Sequence, residues 1–213
     1  DAANAVKNKA GVTQGDIDAA EKALDAAVKG AQEDRSAAAL DKAIKDAEKA
    51  KEEIRNGEGS QADKDEAIQK IDDAIEKAKE AAKDPNATQG DKDAAAGALD
   101  GAVDGAKKDL DEKTNGGDPA ADPDPTLLDQ SVTKAYNAKK AITGDSAAEK
   151  DARAKIQSAI DAANRVKNNP DSTQGDLDAA AKALDAAVKG AQTDLENAQQ
   201  NPSTGDVAID QAI

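Results

Sequence analysis

The tetrapeptide Thr-Gln-Gly-Asp occurs three times, at Thr13–Asp16, Thr88–Asp91 and Thr173–Asp176, spaced by 75 and then 85 residues. The same landmarks follow each copy at the same distances: Leu24, Leu99 and Leu184; Val28, Val103 and Val188; Gly30, Gly105 and Gly190. A period of this length divides a chain into small supersecondary units that bury their apolar faces together. The tetrapeptide reads as a helix start. A threonine N-cap accepts from the N–H three residues on, and the aspartate there reaches back to the cap N–H, which makes a capping box.

Units of about 70–75 residues are marginal in size for independent folding. Leu, Ile and Val number 9, 11 and 8 in 213 residues, Phe and Trp are absent, and the formal net charge is −15. That composition falls within the range of disordered chains. Two features oppose disorder. Alanine, the best helix former, occurs 51 times, and the scarce aliphatics keep a helical phase.

The phase is clearest in three segments of the second copy. Leu40, Ile44, Ala47, Ala50 and Ile54 share one helical face; Ile68, Ile71, Ile75, Ala78 and Ala82 share another; Leu99, Val103, Ala106 and Leu110 a third. Short turns at 56–59 and 84–86 separate them. The order returns with Leu128, Val132, Ala135, Ala138 and Ile142, then Ile156, Ile160, Ala163 and Val166, then Leu177, Leu184, Val188 and Leu195. Ser60 with Asp63, Thr126 with Asp129, and Ser146 with Glu149 add capping boxes. The expected fold is all-α, tandem three-helix bundles forming an elongated rod.

The units this predicts are a truncated repeat over 1–35 (the end of a second helix plus a third helix), a complete repeat over 36–110, an Asp/Pro/Gly linker over 111–125, a complete repeat over 126–196, and a tail or the start of a further repeat over 197–213. From Asp16 to Arg55 there is no proline and one glycine, Gly30, so a single helix of about 40 residues is expected to join the first two units. Gly116, Gly117, Pro119, Pro123 and Pro125 exclude helix from the second junction, which is expected to be extended. Because the chain opens on Asp1, it reads as a processed or excised segment.

Absent residue types narrow the chemistry. Without Cys or His there is no disulfide, no familiar zinc, haem or iron–sulfur ligand set, and no Ser-His or Cys-His nucleophile. An excess of acids, 44 against 29 bases, repels phosphate backbones, so nucleic acid is not an expected partner. No apolar run is long enough to cross a bilayer. Asp118, Asp122 and Asp124 lie among prolines without an EF-hand pattern and read as a solvated spacer. No catalytic, cofactor-binding or metal-binding residue is expected, and the chain is read as a monomer without enzyme activity.

Gly97, Gly101 and Gly105 fall four apart on one helix face and would admit a closely approaching partner. At about 1 kcal/mol each against alanine, they predict the least stable helix of the array. Tyr136, the lone aromatic, is expected at a core boundary.

A leading helix such as LDKAIKDAEKAKEEI (40–54), a second helix, a proline-containing turn and a Thr-Gln start as in NATQGDKDAAAGAL (86–99) resemble the FIVAR-type and related three-helix repeats of Gram-positive cell-surface proteins. The resemblance covers two full copies and part of a third. It implies an extracellular, cell-wall-attached adhesin segment, acting as a stalk that projects another domain. The alternative it carries is a binding module for a host plasma or extracellular-matrix protein such as albumin, immunoglobulin or fibronectin.

Overall fold

The computed structural model describes residues 13–116 and 123–200. Expectations for 1–12, for 117–122 with Asp118 and Asp122, and for 201–213 lie outside the described residues. The described residues are all-helical: α1 (Gln14–Asn56), α2 (Gln61–Lys83), α3 (Gln89–Asn115), α4 (Thr126–Ala141), α5 (Ala147–Lys167) and α6 (Gln174–Gln200).

Local chemistry sets the helix ends. Thr13 with Asp16, Thr88 with Asp91 and Ser146 with Glu149 form reciprocal capping boxes. At Thr173 the backbone N–H donates to Asp176 Oδ2 at 3.0 Å, and the Asp176 N–H donates to Thr173 Oγ1 at 3.1 Å. Ser60 accepts from the Asp63 N–H. The expected box at Thr126 and Asp129 does not form. Pro125 precedes the helix instead, and Asp124 Oδ1 accepts from the Thr126 N–H at 2.9 Å and from its hydroxyl. The Asp124 side chain thereby takes the local acceptor role that Thr126, already inside the helix, cannot fill.

As the absence of proline predicts, α1 runs unbroken for 43 residues, about 65 Å at 1.5 Å per residue. Its carboxyl half packs with α2 and α3, and α4 packs with α5 and α6. The first core contains Leu40, Ala47, Ile71, Ile75, Leu99 and Ala106; the second contains Leu128, Ala135, Ile156, Ile160, Leu184 and Ala191 at the matching positions. The α2 stripe is rotated slightly from the expected one. Ala67, Ile71, Ile75 and Ala78 are buried, Ile68 lies at the core edge, and Ala82 is exposed. With alanine at many inward positions the helices approach closely, and a neighbouring small residue serves as well as a branched one.

The linker expected over 111–125 begins later than its composition suggests, because helix α3 continues to Asn115; the extended course expected for its centre, 117–122, lies outside the described residues. Helix α3 ends at Gly116, which takes the left-handed φ of +77° that glycine accepts without strain. The two units do not continue end to end from there. Helices α3 and α6 lie antiparallel in the most extensive helix–helix contact of the molecule. Linker proline and glycine forbid helix but impose no direction; the facing surfaces of α3 and α6 supply it.

Candidate interface between repeats

The contact between α3 and α6 begins with glycines. Gly90 meets Gly190 at one end and Gly105 meets Gly175 at the other, backbone against backbone. A Cβ on Gly105 would lie 2.5 Å from the Gly175 carbonyl oxygen, and one on Gly90 would overlap the carbonyl of Gly190. Between these ends a Cβ on Gly97 would fall 2.5 Å from Ala186 Cβ, and one on Gly101 would fall 3.0 Å from Lys182 Cβ. All four outer glycines, and Gly101, are buried. The glycines that lower the intrinsic helicity of α3 are thus those that let its neighbour sit directly on its backbone. Packing opposes their entropic cost: the helix expected to be the least stable makes the most extensive helix–helix contact among the described residues.

Each end of the seam is closed by a polar clasp. At one end Asp109, only 6% exposed, accepts from the Gly175 N–H at 2.9 Å and from the Thr173 hydroxyl at 2.7 Å. Lys70, reaching over from α2, pairs with Asp109 at 2.8 Å and with Asp176 at 2.9 Å. At the other end Asp194 accepts from the Gly90 N–H at 2.9 Å and lies 2.6 Å from the Thr88 hydroxyl oxygen. Lys155, reaching over from α5, pairs with Asp194 and with Asp91, each at 2.8 Å. Lys70 and Lys155, Asp109 and Asp194, and Asp91 and Asp176 are equivalent positions of the two copies. The interface is therefore isologous in the manner of a two-fold dimer, though both partners belong to one chain.

The charges in the clasps are mutually supporting. Burial disfavours the Lys155 ammonium, yet the hydrogen bonds and charges of Asp194 and Asp91 outweigh it and raise its pKa. The Lys70 pKa is raised in the same way, burial being outweighed by Asp109 and Asp176. Asp91 and Asp176 are lowered from 3.8: burial opposes ionisation, and the bonds from Lys155 and Thr88, or from Thr173 and Lys70, prevail. A carboxylate on the first turn of a helix also faces the positive end of its dipole.

Capping explains the threonine and aspartate of the tetrapeptide, and the structure adds the reason for its glycine. Gly90 and Gly175 must expose their N–H groups to a carboxylate from the opposite copy while a second glycine passes over them. The sequence signal was a glycine 15 residues after each of these and an aspartate four residues further, repeated in all three copies. Tyr136 is 47% exposed, further out than a boundary residue. Among the described residues no three His, Cys, Asp or Glu side chains gather as a metal would require, and no helix is long and apolar enough to cross a membrane. No family model, curated protein or solved structure matches this chain.

Proposed function

We propose that this chain is a structural spacer, a run of tandem three-helix bundles in a bacterial cell-surface adhesin that holds another domain away from the cell wall. One observation carries the mechanical part: α1 passes without interruption from the first copy of the repeat into the core of the second. A shared helix couples neighbouring units in bending and torsion, as a rod-like stalk requires. The seam between α3 and α6 adds a second rigid joint of different geometry, so the array would step sideways at that point and continue. An acidic surface keeps such an element soluble and unattached to anionic polymers. The cell-surface location rests on the resemblance of the repeats to FIVAR-type sequences.

Solution scattering tests the spacer: interatomic distances should extend to at least about 65 Å, the length of α1. A distribution ending near 45 Å would remove the shared-helix joint and the spacer with it. Antibodies raised against the chain should label intact source cells; labelling only after lysis overturns the location.

A further inference from the structure

The first copy of the repeat, in the amino-terminal half of α1, carries the seam residues with no described residue seated on its two glycines. Gly15, Ala19, Lys22, Ala26, Gly30 and Asp34 stand at the positions of Gly175, Ala179, Lys182, Ala186, Gly190 and Asp194, and all six residue types are identical. The first copy is thus an α6-type face. Helix α3 differs at the two central positions, where it has Gly97 and Gly101 in place of lysine and alanine. Among the described residues a Cβ on Gly30 would meet no atom within 4 Å, and one on Gly15 only its own cap, Thr13. Asp34 is exposed, whereas its counterparts Asp109 and Asp194 are held in the clasps.

The seam also shows which partner such a face accepts. Where α3 crosses α6, Gly97 faces Ala186 with no room for a Cβ, and Gly101 faces Lys182 with little. Two α6-type faces would bring lysine against alanine twice, with no glycine on either side. The first copy therefore cannot close on itself or on α6 as α6 closes on α3. It fits a helix with glycine at both central positions, on a unit whose second helix offers a lysine matching Lys70. Helix α3 is such a helix.

We propose that the first copy is a docking face for α3 of a second copy of this chain, taking the seat that α6 fills intramolecularly. In that complex Gly15 and Gly30 pass over Gly105 and Gly90 of the second chain. Asp34 accepts from the N–H at Gly90, and Lys70 of the second chain bridges its own Asp109 and the incoming Asp16. In the unaltered chain α6 is tethered beside the seat at an effective concentration on the order of millimolar, so it excludes the free competitor and the chain stays monomeric in dilute solution. The inference stands on the seam alone and does not require the chain to be a spacer.

The test is a full-length chain with its seat vacated, Gly175→Leu/Gly190→Leu, followed by analytical ultracentrifugation at concentrations where the unaltered chain is monomeric. The vacated chain should sediment as a dimer or larger, and adding Gly15→Leu/Gly30→Leu should return it to monomer. Asp194→Ala/Lys155→Ala loosens one clasp without adding bulk; this chain should also associate, at higher concentration, and with the same dependence on Gly15 and Gly30. A helical, cooperatively melting vacated chain that remains monomeric overturns the proposal. So does association that persists after the Gly15 and Gly30 substitutions.

Discussion

Asp109 and Asp194 occupy the same position in successive copies of the repeat, and each closes over the helix start of the other copy, on the N–H of Gly175 and of Gly90, both at 2.9 Å. The relationship makes the two carboxylates interchangeable in role. Asp109→Ala and Asp194→Ala should each cost about 1–3 kcal/mol, the penalty for leaving a buried donor unsatisfied. Similar losses from the two are expected in urea melts; a large effect at one and none at the other would contradict the two-fold arrangement.

Gly105→Leu introduces a side chain where even a Cβ lies 2.5 Å from a carbonyl oxygen. Separating the helices should cost roughly 1–3 kcal/mol or more. Gly30→Leu, in open space on α1, should instead raise stability by a few tenths to about 1 kcal/mol through helix propensity. Thermal melts of the two variants should move in opposite directions.

The clasps should respond to acid. Asp91 and Asp176 have folded pKa values below 3.8, so their contribution is complete above that value and is lost as pH falls through the folded pKa. Lys70 and Lys155 are raised, so theirs is complete below 10.5 and is lost as pH rises through the folded value. Stability should be greatest between these limits, and the α3–α6 contact should loosen at acid pH, below 3.8, as the folded carboxylates take up protons. Donor–acceptor labels on α1 and α4 should report the separation. An unchanged distance throughout an acid titration that protonates the carboxylates would assign the joint to the glycines alone.

Amide exchange should find the centre of α3, around Gly97–Gly105, as well protected as α2, since α3 contacts both its own bundle and α6. Fast exchange there would mean that the propensity cost of three glycines outweighs the seam.

Thr13→Ala removes a cap on an exposed helix end and should cost about 1 kcal/mol of local stability. Thr88→Ala should cost more, because that hydroxyl contacts Asp194 across the seam as well as Asp91 in its own capping box. Comparable losses at the two sites would show that the cross-seam contact contributes nothing.

Most of the fold was legible because periodicity and capping agree. Leu40, Ile71, Ile75, Leu99, Ile156 and Leu184 lie on stripes that three-residue and four-residue steps identify, and they are core residues. The shared helix was legible from the absence of proline between Asp16 and Arg55. The pairing of α3 with α6 was legible only in part: Gly97, Gly101 and Gly105 marked a face open to a close partner, but hydropathy periodicity is blind to glycine and alanine and could not say which helix would fill it. The clasps were hidden for a related reason. Aspartates and lysines are numerous in this chain, and nothing local separates Asp109 from neighbours such as Asp111.

The unbroken course of α1 fixes an angle as well as a length. Each residue of an α-helix turns the chain by about 100°, so the direction in which Gly15, Gly30 and Asp34 face is set by the residue count between them and the Leu40–Ile54 core. A one-residue insertion near Arg35 would leave both ends chemically intact and swing the first copy through more than a quarter of a circle. Register along this helix is therefore a compass bearing, and evolution can re-aim the first copy by a single codon.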